Sequence, residues 1–494
     1  MSKPPSLPVF DAPYAPDDAG LIRRFLAETA LDPALEQAID ARTRRYIGAI
    51  RDQAGLIGGI EDFLREYSLS TREGLALMVL AEALLRVPDA ITQDRLIEDK
   101  LSGGDWTKHA GDGESWFVVA STWALGLSQH IVEIGDSPDN IISGLVRRLG
   151  QPAVRTATRR AMRILGHHFV LGETIADALK RARSHAERGF RHSYDMLGEG
   201  ARTAADAATY FDSYRKAIAA IGKSAGSKPL PERPGISVKL SALHPRYEAA
   251  KREELMDQLV PRLRDLAREA RALDLGFTVD AEEADRLELS LEVIAAVAVD
   301  PALAGWDGFG LAVQAYQKRA PAVIAWVTDL AAALERRMMV RLVKGAYWDT
   351  EIKRAQERGL DDYPVFTRKA ATDLCYLACA RQMLAARPRL YPQFASHNAL
   401  TVATILEMAG NREGFEFQRL HGMGEPLYEA VWAMEAVPCR IYAPVGGHRE
   451  LLAYLVRRLL ENGANSSFVA IAGDRSVPVD TLLARPGPML EGGA

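Results

Sequence analysis

The sequence predicts an α/β protein: a (βα)8, TIM-like barrel preceded by an all-helical N-terminal arm and domain. From about residue 190 onward, eight short apolar segments alternate with longer stretches of helical periodicity. Eight strand–helix units in about 270 residues match a closed barrel. Before that point only the helical period is present. A doubly wound sheet is the competing architecture. It is weakened by the lack of a G-x-G-x-x-G fingerprint, because "GFGLAVQ" has only the first two glycines and places them ahead of a strand.

Taken in order, residues 1–50 are the most polar part and read as an extended arm. The opening "MSKPPSLPVFDAPYAPDD" has no apolar core of a signal peptide. Residues 51–185 read as a helical domain. In "SLSTREGLALMVLAEALLRVPD", Ser70 and Glu73 form a capping box, Leu75, Val79, Leu80 and Leu84 recur at helical spacing, and Pro88 follows the end. Residues 186–475 hold the barrel. Its expected strands are "YDMLGE", "GISVKLSAL", "GFTVDAEE", "GFGLAVQAY", "MMVRLVKGAYWD", "QFASHNA", "FEFQRLHGM" and "CRIYAPVG". Helical patterns follow them, such as Leu255, Leu259, Leu263 and Leu266, or Val323, Val327, Leu330 and Leu334. Residues 476–494 read as a linker-like tail.

Composition narrows the class. Of 494 residues, 48% are hydrophobic and 26% charged, with a formal net charge of -4. That is a soluble globular profile, neither disordered nor strongly basic. No apolar run approaches the roughly 18–20 residues that span a bilayer. Cys375, Cys379 and Cys439 make an odd count and read as reduced core residues in a cytoplasmic protein.

In such barrels the chemistry sits at the C-terminal ends of the strands. There the sequence places Glu199, Lys239, Asp280, Gln314, Lys344, His397, Gln418 and Tyr442, a series that predicts a ring around one pocket. Lys239 and Asp280 fit a salt bridge closing the barrel mouth, acid–base work, or a Schiff-base lysine. In "GGHRELLAYLVRRLLENGANSS", Tyr454, Arg457, Arg458 and Glu461 share one helix face. Paired arginines beside a tyrosine suit a small carboxylate, and a solvated face is the plain alternative. His167 and His168 lack metal-ligand spacing, and no metal is expected. Arg155, Arg159, Arg160 and Arg163 form a basic helical patch. It fits a solvated or interdomain face better than nucleic acid, because the chain is acidic and no aromatics interleave.

The ordered series "SVKLSALHPRYE", "DAEEADRLELSLEV", "VQAYQKRA", "RLVKGAYWDTEIKRAQ", "ASHNALT", "FQRLHGMGE", "RIYAPVG" and "YLVRRLLENGANSSFV" closely resembles the proline dehydrogenase module of bacterial proline utilization A (PutA) flavoproteins. The likeness runs from about residue 65 to about residue 470 and includes "FVLGETI". The resemblance implies noncovalent FAD and oxidation of L-proline to Δ1-pyrroline-5-carboxylate by hydride transfer from proline C5 to flavin N5. Electrons then pass to a quinone, in the first step of proline catabolism to glutamate. It implies cofactor contacts from Asp280, Gln314, Arg341, Lys344, Gly345, Ala346, Tyr347, Trp348, Thr367, His397, Asn398, Gln418, Leu420 and Glu461, with Arg341 near the reactive nitrogen. It implies that Arg457 and Arg458 hold the substrate carboxylate near Lys239 and Asp280. Tyr442, Tyr454 and Leu420 would wall the ring, and Glu199 would pair with Arg457 as a gate.

Further expectations follow from the resemblance. The aldehyde dehydrogenase domain of many relatives is absent from this chain, which is then either a monofunctional relative or a piece of a longer enzyme. Nothing before residue 65 resembles a ribbon-helix-helix segment, so no nucleic-acid partner is expected. The polar arm hints at a homodimer. Membrane contact, if present, is peripheral at the inner face of the cell membrane. "SSFVAIAGD" departs from the family's continuation after "SSFV" and puts contacts after residue 469 in doubt. Two other classes remain: a Schiff-base aldolase or lyase using Lys239 or Lys344, and a non-catalytic scaffold binding DNA through the Arg155–Arg163 patch.

Overall fold

The computed structural model describes residues 6–52, 146–150, 152–154, 156–158, 170–447 and 468–491. The Ser70–Glu73 capping box, His167–His168, the four arginines of the basic patch, and Tyr454, Arg457, Arg458 and Glu461 lie outside these residues.

The eight expected strands exist and close into one parallel barrel in sequence order. They are β1 (Arg191–Met196), β2 (Gly235–Val238), β3 (Gly276–Val279), β4 (Phe309–Gln314), β5 (Met338–Val343), β6 (Leu390–Ala395), β7 (Glu416–Leu420) and β8 (Cys439–Val445). β8 returns to β1 with Arg191 opposite Arg440 and Ser193 opposite Tyr442. Side chains alternate along each strand. Tyr194, Ile236, Phe277, Val340, Phe394, Phe417 and Ile441 are buried in the hydrophobic core. The residues adjacent to them, Ser193, Ser237, Thr278, Arg341, Gln393, Gln418 and Arg440, are buried and polar. The helix Arg252–Ala272 buries Leu255, Leu259, Leu263 and Leu266 as its period requires, and Ala320–Ala333 buries Val323, Val327 and Leu330.

Several boundaries differ from the sequence reading. β1 begins at Arg191, three residues before "YDMLGE", and ends before Glu199. β2 stops at Val238, and "LSAL" turns into the short helix Leu240–Leu243. The cause is tertiary: Glu282 Oε1, from the loop after β3, accepts the Ser241 N–H at 3.0 Å, and the Lys239 N–H is taken by the Tyr214 hydroxyl at 3.2 Å. β5 stops at Val343, and Trp348 opens the helix Trp348–Glu357.

The first 50 residues are not an extended arm throughout. They include the helices Asp18–Thr29 and Pro33–Asp52, which pack on the barrel helices Lys369–Ala385, Ala399–Ala409 and Glu425–Glu435. Arg42 bridges Glu407 at 2.7 Å and also pairs with Glu435. The tail contains the short helices Val479–Leu482 and Pro486–Glu491, and Arg485 reaches back to Asp40 at 2.7 Å.

The N-terminal mouth of the barrel is closed by charge. Glu416, fully buried, accepts from Arg440 at 2.5 and 3.1 Å, Arg191 at 2.8 Å and Gln393 at 2.7 Å. Cys375 and Cys379, one turn apart on the helix Lys369–Ala385, and Cys439 at the start of β8 are buried free thiols.

Candidate active site

The opposite mouth gathers the chemistry. Lys239 follows β2, Asp280 follows β3, Arg341 sits within β5, and Tyr442 within β8. Lys239 Nζ donates to Asp195 Oδ1 at 2.7 Å, to Asp280 Oδ2 at 3.2 Å and to the Tyr442 hydroxyl at 3.2 Å. The Tyr442 hydroxyl donates to Asp280 Oδ2 at 2.7 Å. Arg341 donates to Asp280 Oδ1 at 2.6 Å and, across the barrel, to Ser237 Oγ at 2.8 Å and Ser193 Oγ at 3.3 Å. Its guanidinium carbon lies 5.0 Å from the Tyr442 ring centroid, within cation–π range.

Two cations and two carboxylates thus balance in one buried cluster. Burial acts against the charged form of Lys239, but Asp195, Tyr442 and Asp280 outweigh it and raise its pKa well above the usual lysine value. Burial likewise acts against ionised Asp280, yet Lys239 and Arg341 hold it below the usual carboxylate range. For Asp195, burial wins over Lys239 and its pKa is raised. Burial keeps the Tyr442 phenol protonated, as its donation to Asp280 requires.

A second group lies beside β4. Gln314 Nε2 donates to the Glu282 carbonyl at 2.8 Å, and its Oε1 accepts the Ala346 N–H at 3.3 Å. Gly345 has φ +144°, and a Cβ there would stand 2.4 Å from the Tyr316 ring, so the residue has to be glycine. On the far side, His397 Nε2 accepts the Leu420 N–H at 3.0 Å. Asn398 caps the helix Ala399–Ala409 by accepting from Leu400 and Thr401.

The expected ring is therefore only partly one network. Lys239, Asp280, Arg341 and Tyr442 meet directly. Lys344 pairs instead with Asp373 on the helix Lys369–Ala385. Trp348 is 42% exposed, with its indole N–H on the Phe366 carbonyl at 2.9 Å, and Thr367 beside it is exposed. Tyr347 and Glu199 are half-buried on loops beyond their strands. Asp195, Ser193 and Ser237 were missed by the sequence reading. Their signal was the pairing Ser193-x-Asp195, Ser237-x-Lys239 and Thr278-x-Asp280, polar residues two apart that mark the inner face of three successive strands.

The donor set suits a flavin. Gln418 is 1% exposed, and neither its Oε1 nor its Nε2 has a hydrogen-bond partner. A buried amide left this way costs about 1–3 kcal/mol. Its adjacent donor and acceptor complement the alternating C=O and N–H edge of an isoalloxazine. Arg341 Nε is also buried without a partner.

Residues 59–169 match the family model described as "DNA-binding domain of Proline dehydrogenase". That match stands against the expectation of no nucleic-acid partner, and it contains the Arg155–Arg163 patch. The segment is acidic as a whole, but its basic residues concentrate toward its C-terminal end, from Arg147 to Arg163. The PutA bifunctional protein of Salmonella typhimurium is 50% identical over 95% of this chain and 37% of its own length. That of Escherichia coli is 53% identical over 97% of this chain and 37% of its own. The chain thus spans little more than a third of these curated relatives. "Proline dehydrogenase 1" of Bacillus subtilis is 28% identical over 62% of this chain and 90% of its own length. A crystal structure of a Bradyrhizobium japonicum proline utilization A mutant is 63% identical, covers 99% of this chain and 49% of that chain, and superposes with a TM-score of 0.77. The family model described as "Proline dehydrogenase" matches residues 178–471, from the helix before β1 to beyond β8. With every strand that carries the charged cluster inside that match, the chain belongs to the proline dehydrogenase family.

Proposed function

We propose that this chain oxidises L-proline to Δ1-pyrroline-5-carboxylate with FAD, the first step of proline catabolism to glutamate. The observation that carries the reading is the Lys239–Asp280–Arg341–Tyr442 network at the C-terminal mouth of a family-matched barrel. FAD, when bound, supplies the acceptor for the hydride of proline C5, and a quinone takes the electrons onward.

The chain's own residues do the rest. Gln418, Gln314, the Gly345–Ala346 backbone, His397, Asn398 and Leu420 would hold the cofactor, with Lys344, Tyr347, Trp348 and Thr367 toward its outer end. Arg341, fixed at three oxygens, would offer a bound flavin a preorganised positive charge. Tyr442 is held by its hydroxyl between Lys239 and Asp280, so its ring is a fixed wall against the pyrrolidine. Positioning of this kind can supply much of a rate enhancement without a dedicated base. The substrate carboxylate is assigned to Arg457 and Arg458, with Tyr454, Glu461 and the gating acid Glu199 around it, on the resemblance alone.

The proline amine must lose its proton for C5 to release a hydride, and the neutral amine is a small fraction near pH 7. We therefore expect kcat/KM to rise from pH 6 to pH 9, and a flat profile would contradict this. Residues 1–50, 51–185, 186–475 and 476–494 are proposed as arm, helical domain, barrel and tail. Homodimerisation, a cytoplasmic location and peripheral membrane contact belong to the same proposal. Among the described residues no helix is long and apolar enough to cross a membrane.

The test is an anaerobic absorbance spectrum before and after L-proline. Flavin bands that bleach support cofactor, substrate and half-reaction together. Bands that persist reject proline, and no flavin uptake at all rejects the reading.

A further inference from the structure

Lys239 is shared by two carboxylates, and they are not equivalent. Asp195 makes the closer contact, 2.7 Å against 3.2 Å for Asp280. The Asp195 side chain is 0% exposed, whereas Lys239 and Asp280 each retain 9%. Asp195 therefore lies beneath the ammonium, and Asp280 stands beside it near the opening. Asp280 is also saturated, with Oδ1 on Arg341 and Oδ2 on both Tyr442 and Lys239. Asp195 uses Oδ1 on Lys239 and leaves Oδ2 buried without a hydrogen-bond partner. A carboxylate whose work was packing alone would be expected to satisfy both oxygens. Although burial raises its pKa, Asp195 accepts from the Lys239 ammonium at 2.7 Å, and as that ion-pair partner it adds a negative charge. Without it, Lys239 and Arg341 would face Asp280 alone, and the buried cluster would carry one uncompensated positive charge.

We propose that Asp195 is a positioning residue for the reaction. It anchors the Lys239 ammonium from below, so that Asp280 keeps its hold on Tyr442 and Arg341, and it sets the net charge of the pocket floor at zero. The proposal rests on the proline-oxidising reading above and adds a residue to it. Its consequence is twofold. Loss of the Asp195 charge should let Lys239 move onto Asp280 and displace the Tyr442 wall. The unbalanced cation beside Arg341 should also favour a reduced, more negative flavin.

The test is a double-mutant cycle between Asp195→Asn and Lys239→Met, read by kcat/KM for L-proline and by the flavin midpoint potential, which needs no turnover. Asp195→Asn is expected to lower kcat/KM by about 100-fold, the scale of a small misplacement in a site. It should shift the potential positive. The double variant removes both charges together and restores balance. Its potential is expected to return to the wild-type side, and its kcat/KM to be no lower than that of Lys239→Met alone.

An unchanged potential in Asp195→Asn, or a double variant that loses the product of the two single effects, overturns the proposal. If Asp195→Asn does not fold, the comparison of Lys239→Met with the double variant decides. A double variant whose potential lies positive of that of Lys239→Met, with kcat/KM no lower, supports the proposal, and equal potentials or a further tenfold loss of kcat/KM in the double overturn it. A wild-type protein that binds flavin yet is not reduced by proline overturns both the functional reading and this one. Bleaching in the wild type with no change in the variants overturns the role of Asp195 alone.

Discussion

Tyr442 does two things with one side chain, and substitutions separate them. Its hydroxyl donates to Asp280 at 2.7 Å and accepts from Lys239 at 3.2 Å, while its ring lies under the Arg341 guanidinium. Tyr442→Phe keeps the ring and removes both bonds to charged groups, each worth about 1.5–3 kcal/mol. We expect kcat/KM for proline to fall at least tenfold while the preference for proline over 4-hydroxyproline is kept. Tyr442→Ser removes the wall as well, and that preference should narrow. Steady-state kinetics with both substrates checks the pair, and an unchanged ratio in the serine variant would remove Tyr442 from the pocket wall. Tyr442, Lys239, Asp280 and Arg341 were all legible in the sequence as polar residues interrupting apolar strands. Asp195 was not, because "YDML" reads as a strand whose end is the functional position, and the register that turns Asp195 inward is fixed only by pairing with β2 and β8.

Two elements make opposite predictions with pH. In the helix Trp348–Glu357, burial raises the Glu351 carboxyl from its ordinary 4.5 to about 7, although the Ala284 N–H at 2.7 Å opposes this. The folded protein then holds a proton that the unfolded chain has released, so this group lowers stability progressively as pH rises from about 4.5 to about 7. Glu351→Gln keeps an acceptor for Ala284 and removes that penalty. The variant is expected to match the wild type near pH 4 and to exceed it at pH 8 by up to about 3 kcal/mol, measured by urea unfolding at each pH. Glu416 on β7 is the reverse case. Burial disfavours its charge, but Arg440 and Arg191 outweigh burial and depress its pKa. Its contribution is complete above the unfolded carboxylate value and lost as pH falls through the lower folded value. Glu416→Gln leaves two buried guanidinium groups short of a counter-charge. It should cost about 3–5 kcal/mol at pH 7 and flatten the acid limb of the wild-type stability curve.

At the scale of the whole molecule the barrel was readable because eight short apolar runs alternated with stretches of helical period. Strand ends were not, since Glu282 caps "LSAL" from another loop and no local pattern encodes that. The packing of the first 50 residues was also hidden, because Ile22, Phe25, Ile39, Tyr46 and Ile47 form apolar stripes inside segments whose composition is mostly polar. Arg42 is the hinge of that packing, 11% exposed between Glu407 and Glu435. Arg42→Met should lower stability by about 3 kcal/mol and leave proline kinetics unchanged, as a thermal melt and an activity assay would show together. The same arrangement has a consequence during synthesis. Arg42 leaves the ribosome 365 residues before Glu407 does. At about 5–20 residues per second the arm waits on the order of 20–70 seconds for the surface that will cover Phe25 and Tyr46. For that interval it is a nascent amphipathic segment with no docking site, a ready client for a chaperone that meets emerging chains.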